Sequence, residues 1–291
     1  MNDIGCRSEV APLRRLLLKR PADAFVDERR IEAQWRDLRF TGRPDLGRAA
    51  QEHERFAALL RGPGTEILFL PRDDATGLDS IYVRDALVIS GRGAILCGMG
   101  KPQRRGEPQA AARFFEKSGI PIAGQIGGDG RLEGGDVVFL DERTVAVGQG
   151  HRTNAEGIRQ LRQILSDSVD EVIAVPLPHW KGPDDVFHLM SLLSPIDVDL
   201  VLVYSRLLPV PFREALLSRG IELLEVPEEE FATMGCNVLA VAPGRCVMLS
   251  GNPRTARLLQ GAGCEVRTYE GREISLKGSG GPTYLTRPLQ R

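Results

Sequence analysis

Short apolar runs along the chain alternate with turn-forming breaks, and the order of the runs repeats. Residues 136–140 and 144–147 are apolar and split by Asp141, Glu142 and Arg143, the pattern of two strands joined by a polar turn. Thr153 or Asn154 is placed to cap a helix with apolar positions Ile158, Leu161, Ile164 and Leu165, and a third run, 172–175, stops at Pro176. The same order returns in 189–193 and 200–203 around Pro195, Ile196 and Asp197. A helix from Pro211 to about Ser218 follows, closed by Gly220, and then the run 221–226. It returns again in 238–242 and 246–249 around Pro243, Gly244 and Arg245, with a helix opened by Pro253, closed by Gly261 or Gly263, and followed by 264–269. Upstream, 86–90 and 94–97 flank Gly91, Arg92 and Gly93, with a helix near 109–117. The N-terminal part offers a helix near 49–61 and a strand at 66–70, which residues 284–286 would complete.

A period of about fifty residues means units that share one core by stacking or by arrangement around an axis. Five such units closing on themselves would explain why no interdomain linker interrupts residues 1–291, which then form a single α/β domain. An open α/β sheet with accidental regularity is the alternative.

Each unit carries an anomalous polar group where its first strand begins: Arg84 and Asp85, Glu133 and Asp136, His188, Cys236 and Asn237, Thr283 and Tyr284. Taken singly, His188 reads equally as a packed core histidine, Glu133 to Asp136 as a turn into a strand, and Asp85 as a capped or paired surface acid. Their common offset joins them, because equivalent positions around an axis converge on one place. Buried carboxylates beside an imidazole are costly unless they hold a cation or do acid–base work. A planar, donor-rich guanidinium would satisfy two carboxylates well.

Composition narrows the classes. The 291 residues carry a net charge of −1, with no basic stripe for nucleic acid and no block of like charge. No apolar run reaches the length of a membrane span, and residues 1–18 lack the apolar core of a signal peptide. The five cysteines are widely spaced and none form a Cys-x-x-Cys pair, which argues against a disulfide framework or a zinc site and for a cytoplasmic setting. Gly127 to Gly130 resembles a calcium-binding repeat but occurs once, His179 and Trp180 lack partners at metal spacing, and no phosphate-binding glycine loop is present. No metal and no cofactor are expected.

From about Glu52 to Leu289 these motifs resemble the guanidino-group-modifying superfamily of dimethylargininases, arginine deiminases and amidinotransferases. The resemblance implies a five-bladed α/β propeller (the pentein fold) with its site on the axis. It implies that Asp85 and Asp79 bind a guanidinium, and that Arg104, in Pro102 to Arg105, and Arg152, in Arg152 to Asn154, bind a substrate carboxylate. Glu133, in Leu132 to Asp136, and His188, in Phe187 to Leu189, are then catalytic. Asp136 and Asn237 join the substrate-binding set through their offset. Residues 280–286 match the segment that delivers the family's nucleophile.

This chain departs from the family pattern at two positions. Met190 stands where deiminases keep a second guanidinium-gripping aspartate, favouring a substituted guanidine or another cation. Tyr284 stands where the family keeps a nucleophilic cysteine. A thiol's reference pKa is about 8.5 and a phenol's about 10, so thiolate attack is excluded at this position. Two classes remain. One is a C–N hydrolase with altered chemistry, using water activated by His188 and Glu133 or recruiting Cys236, whose other reading is a small buried hydrophobe. The other is a homologue without hydrolysis that binds a guanidino or other cationic amino-acid-like ligand. Both imply a small-molecule partner, no nucleic acid and no membrane, and leave a homodimer open.

Overall fold

The computed structural model describes residues 4–183, 185 and 187–291; the first three residues of the N-terminal segment read above lie outside this set. Its strands assemble into five three-stranded sheets. The first contains β1 (Arg15–Leu18) and β2 (Glu66–Phe69), with the helix Leu46–Leu60 between them. The second holds β3 (Leu87–Ser90), β4 (Gly93–Leu96) and β5 (Ile122–Gln125), and the third β6 (Val137–Phe139), β7 (Thr144–Gln149) and β8 (Glu171–Pro176). The fourth holds β9 (Leu193–Pro195), β10 (Leu200–Val203) and β11 (Glu222–Glu225), and the fifth β12 (Val238–Ala242), β13 (Arg245–Leu249) and β14 (Glu265–Tyr269). The last strand, β15 (Arg287–Gln290), returns to the first sheet.

Every sheet follows one rule. The middle strand pairs antiparallel with the first and parallel with the third. A parallel return needs a crossover, and a helix supplies it: Leu46–Leu60, Glu107–Lys117, Ala155–Leu165, Val210–Ser218 or Pro253–Gly261. This is the repeated ββαβ unit expected from the apolar pattern. The cap follows the expected chemistry too, since the Asn154 side chain accepts from Gly157 N at 2.9 Å. Gly220, at φ 74°, stops the fourth unit's helix in a conformation that glycine adopts without steric cost.

Three features differ from the sequence reading. The first sheet is completed by Arg287–Gln290, one strand's length past residues 284–286. Those residues instead form a turn, in which Thr286 Oγ1 donates to Pro282 O at 2.9 Å. In the fourth unit the strand begins at Leu193 rather than 189, because Leu189–Ser191 form a tight helical turn capped by His188. Pro195 lies inside β9 and costs no ladder bond there, since β9 is an edge strand. The short strands β1 and β5 carry no alternation strong enough to mark them.

The polar groups at the unit starts form a closed cycle of hydrogen bonds. Asp85 O accepts from Gly134 N at 2.8 Å, and Asp136 Oδ1 accepts from Leu189 N at 2.9 Å. Met190 O accepts from Asn237 Nδ2 at 3.2 Å, and Asn237 Oδ1 from Thr283 N at 3.2 Å. Tyr284 O accepts from Arg84 N at 3.3 Å, which returns to the second unit. Around this cycle the middle strands are buried throughout or nearly so, as in Leu200–Val203. Truncating Leu202, which is fully buried, to alanine should cost about 2–5 kcal/mol. A urea titration should show the midpoint fall while the slope stays unchanged.

Candidate functional site

The loops and turns that precede the first strands deliver their side chains to one buried centre. The tight turn Gly134–Asp136 leaves Glu133 just before it, and its carboxylate is completely buried. Glu133 Oε1 accepts from Gly100 N and Lys101 N, both at 3.0 Å. Glu133 Oε2 meets His188 Nε2 at 2.7 Å and Arg152 Nη1 at 3.0 Å. Burial opposes its charge, but the Arg152 guanidinium and the His188 ring outweigh it and hold the carboxyl well below the ordinary carboxylate range. His188 is likewise fully buried. Burial pulls its pKa down, yet Asp85, Asp136 and Glu133 together raise it above the usual imidazole value. Each partner thus favours the other's charged form, while His188 Nδ1 is buried without a hydrogen-bond partner among the described residues.

Asp85 completes the centre from the second unit. Its Oδ1 accepts from Gly135 N at 3.1 Å and its Oδ2 from Arg104 Nη1 at 2.5 Å. Arg104 is itself saturated, donating from Nε and Nη2 to Glu107 at 2.9 and 2.7 Å and from Nη2 to Tyr82 O at 2.9 Å. An internal guanidinium thus lies on the aspartate expected to grip a ligand's guanidinium. Asp79 is held by Lys101 Nζ at 2.5 Å. Asp136 accepts from Thr153 Oγ1 at 2.6 Å, and burial pushes its carboxyl up to about 6. Asn237 clasps the C-terminal segment, donating to Thr283 Oγ1 at 2.6 Å.

Tyr284 enters this centre from the turn before β15. Its ring lies 5.6 Å from the His188 ring, tilted by 36°, and its hydroxyl is 3.2 Å from Ser191 Oγ. Burial, with Asp85 adding to it, raises the phenol well above its ordinary value, so it stays neutral. Gly135 makes this packing feasible: a Cβ there would sit 2.7 Å from Asp85 Oδ1, 2.7 Å from Tyr284 Cε1 and 2.9 Å from His188 Cγ. The cavity bounded by Asp79, Asp85, Arg104, Arg152, Gly280 and Tyr284 has a volume of about 10 Å³, room for roughly one water. Two larger hollows flank it. One, of about 510 Å³, shares Lys101 and Arg152 with it; the other, of about 140 Å³, shares Tyr284 and Ser279.

Ligand atoms of Asp85, Glu133 and His188 lie within 4.8 Å of one another. The two carboxylates already pair with Arg104 and Arg152, so the set reads as an ion-pair network rather than a metal cage. The structure thus brings Asp79, Asp85, Arg104, Glu133, Asp136, Arg152, His188, Asn237 and Tyr284 into one connected centre. The sequence reading did not assign Lys101, Glu107, Thr153 or Ser191 to the site. Lys101 and Thr153 adjoin recognised motifs, whereas nothing local marks Glu107 or Ser191. Cys236 is a buried core residue whose Sγ lies 4.0 Å from Leu202 O, and burial pushes its thiol far up.

The five ββαβ units meet at a buried acid–imidazole pair. The chain belongs to the arginine deiminase family, whose model matches residues 79–217 and 208–291. It is 32% identical over 222 residues to the N(G),N(G)-dimethylarginine dimethylaminohydrolase of Streptomyces coelicolor, covering 76% of this chain and 78% of that one. Its fold matches that of a dimethylarginine dimethylaminohydrolase from Pseudomonas aeruginosa, a cysteine-to-serine mutant complexed with citrulline. That match has a TM-score of 0.74 and 23% identity, over 94% of this chain and 98% of that one. An amidinotransferase from Microseira wollei matches with a TM-score of 0.80 at 16% identity, over 99% and 97%. Among the described residues no helix is long and apolar enough to cross a membrane.

Two outcomes follow from the geometry. Glu133→Gln leaves the Arg152 charge buried without its partner and should destabilise the fold by on the order of 3–5 kcal/mol. His188 is raised in the folded state, so its protonation contributes stability that is full below about pH 6.5 and fades as pH rises through the folded value. Imidazole NMR signals of His188 should titrate above about 6.5 in the native chain and move to lower pH in Glu133→Gln.

Proposed function

We propose that this chain is a guanidino-recognition protein of the dimethylargininase and arginine deiminase type that has given up thiol-dependent C–N hydrolysis. The observation that carries the reading is the placement of the Tyr284 ring against His188, at the family's nucleophile position, with about 10 Å³ left on the side of Asp79, Asp85 and Arg104. The phenol is neutral, and phenol oxygen is a poor nucleophile for a guanidinium carbon without prior ionisation. The His188 Nε2 is engaged by Glu133 at 2.7 Å, so that nitrogen is not free to accept a proton from water. Cys236 is removed from consideration by its burial in the hydrophobic core. These features favour the binding homologue over the hydrolase with altered chemistry.

What supports binding is the retained charge pattern. Asp79 and Asp85 present carboxylates on one side, and Arg152 and Lys101 line the path to the 510 Å³ hollow on the other. A ligand with a cationic planar head and an anionic tail matches this polarity. Met190, fully buried and with its carbonyl engaged by Asn237, offers no charge to the far guanidine nitrogens, which suits an N-substituted guanidine better than free arginine. Entry requires the Tyr284 ring to swing and the Arg104–Asp85 pair to part, so the competent state is a minor one and the apparent affinity is reduced by its population.

Incubation with dimethylarginine, arginine or agmatine should yield no citrulline, ornithine or urea above a protein-free control, and turnover by the native chain would overturn this reading. In calorimetry, Tyr284→Ala should bind dimethylarginine at least tenfold more tightly than the native chain, since the ring no longer competes for the space. Loss of binding in both proteins would remove the guanidino assignment. Tyr284→Cys should gain measurable amidine hydrolysis.

A further inference from the structure

Behind the acid–imidazole centre the chain buries a second set of charges that the guanidino reading does not use. Arg84, next to Asp85 in sequence, turns its side chain away from that centre and is completely buried. Its Nη2 reaches both oxygens of Glu9 at 2.7 Å. Arg287, only 4% exposed, donates from Nη2 to Arg84 O at 2.9 Å, and a Cβ on Gly134 would lie 2.6 Å from that same Nη2. Arg291 closes the group, donating to Ala11 O at 2.6 Å and Ala240 O at 2.9 Å. Cys6 lies in the field of all three arginines and is kept neutral by burial.

Among the described residues, three guanidinium groups therefore face the Glu9 carboxylate. Burial and the Arg84 charge push Arg287 down to about 9, which still leaves it cationic at neutral pH. Four nitrogens of this group are buried with no hydrogen-bond partner: Arg84 Nε and Nη1, Arg287 Nε and Arg291 Nε. Orphaned charged donors in a protein interior are expensive, each costing more than a neutral one. A water molecule would accept some of these hydrogen bonds and leave the excess positive charge untouched. An anion does both.

We propose that this cluster is a binding site for one small monovalent anion of chloride size, held by Arg84 and Arg287 with Arg291 at its rim. Complete burial of Arg84 restricts the occupant to a single compact ion, because a larger oxyanion would have to displace the Glu9 carboxylate or the backbone around Gly134. The site lies directly behind Asp85 and Gly134, and the Arg84 charge reaches the Tyr284 phenol. The anion would neutralise the rear of the centre and tie the C-terminal strand to the N-terminal segment.

The experiment uses the full chain. Crystals grown in sodium bromide should show an anomalous peak within hydrogen-bond distance of Arg84 and Arg287. Thermal unfolding in sodium chloride or bromide should lie above that in sodium gluconate at equal ionic strength. The difference should saturate with concentration and reach on the order of 5–10 °C at a hundred times the dissociation constant. Arg84→Met should abolish the halide dependence. If that variant does not fold, Arg291→Gln, at the less buried rim, should weaken it instead. A bromide map with no peak at the cluster overturns the proposal even where halide raises the midpoint, since a general salt effect would do the same. Equal midpoints in halide and gluconate overturn it as well.

Discussion

Everything at the centre depends on a cycle of hydrogen bonds that links each unit's first turn to the next. Asp85, Asp136, Met190, Asn237 and Tyr284 each contribute one acceptor to this cycle. None of these bonds is strong on its own, since a net hydrogen bond contributes about 1 kcal/mol. Their joint effect is geometric. They fix five chain reversals relative to one another, so that side chains far apart in sequence meet with hydrogen-bond precision. Gly134 and Gly135 sit where the cycle is tightest, and both lack room for a Cβ. That crowding is what brings Asp85, His188 and Tyr284 into contact.

Within that frame, the electrostatics follow a simple rule. Three buried acids of the centre pair with buried bases: Glu133 with Arg152 and His188, Asp85 with Arg104, and Asp79 with Lys101. Such pairs gain little net stability against an apolar replacement, but losing one partner is costly. The network is therefore difficult to dismantle one residue at a time. It also means that the charges which would hold a guanidinium are already balanced within the protein, most directly by the Arg104 guanidinium on Asp85. An arriving cation must compete with a side chain of the same chemistry that has no association entropy to lose.

Much of this was legible in the sequence because repetition made it so. The offset shared by Asp85, Asp136, His188, Asn237 and Tyr284 placed one residue from each unit at the centre, and the structure joins all five there. Strand and helix positions in the third and fifth units are readable from apolar runs bounded by Gly and Pro, as in Val238–Ala242 and Pro253–Gly261. The unreadable parts have physical causes. β5 contains Gly124 and half-exposed positions, so it lacks an apolar stripe. The last strand was placed too early because Tyr284 to Thr286 have high strand propensity, while the strand that forms carries Pro288. Spacing also says nothing about where a side chain points. It could not show that Arg104 would turn onto Asp85, or that Arg84 would turn the opposite way.

On the reading proposed above, Tyr284 separates this centre from thiol-dependent hydrolysis, and the reason lies in volume as much as in reactivity. A cysteine at position 284 would place a small polarisable sulfur beside the His188 ring, whose protonated form lowers a neighbouring thiol's pKa. It would also leave the space of a phenol ring vacant for a planar ligand. Tyrosine reverses both effects: it fills the vacancy, stays neutral, and adds a ring contact with His188 and a hydroxyl contact with Ser191. Those contacts stabilise the closed centre, so the substitution closes the cavity and strengthens the fold around it together. The acid–histidine pair then persists for a structural reason, because Glu133 also caps Gly100 N and Lys101 N and cannot be lost without unpairing buried groups. Retained residues alone therefore do not argue for turnover; the space beside them does, and here a phenol ring occupies it.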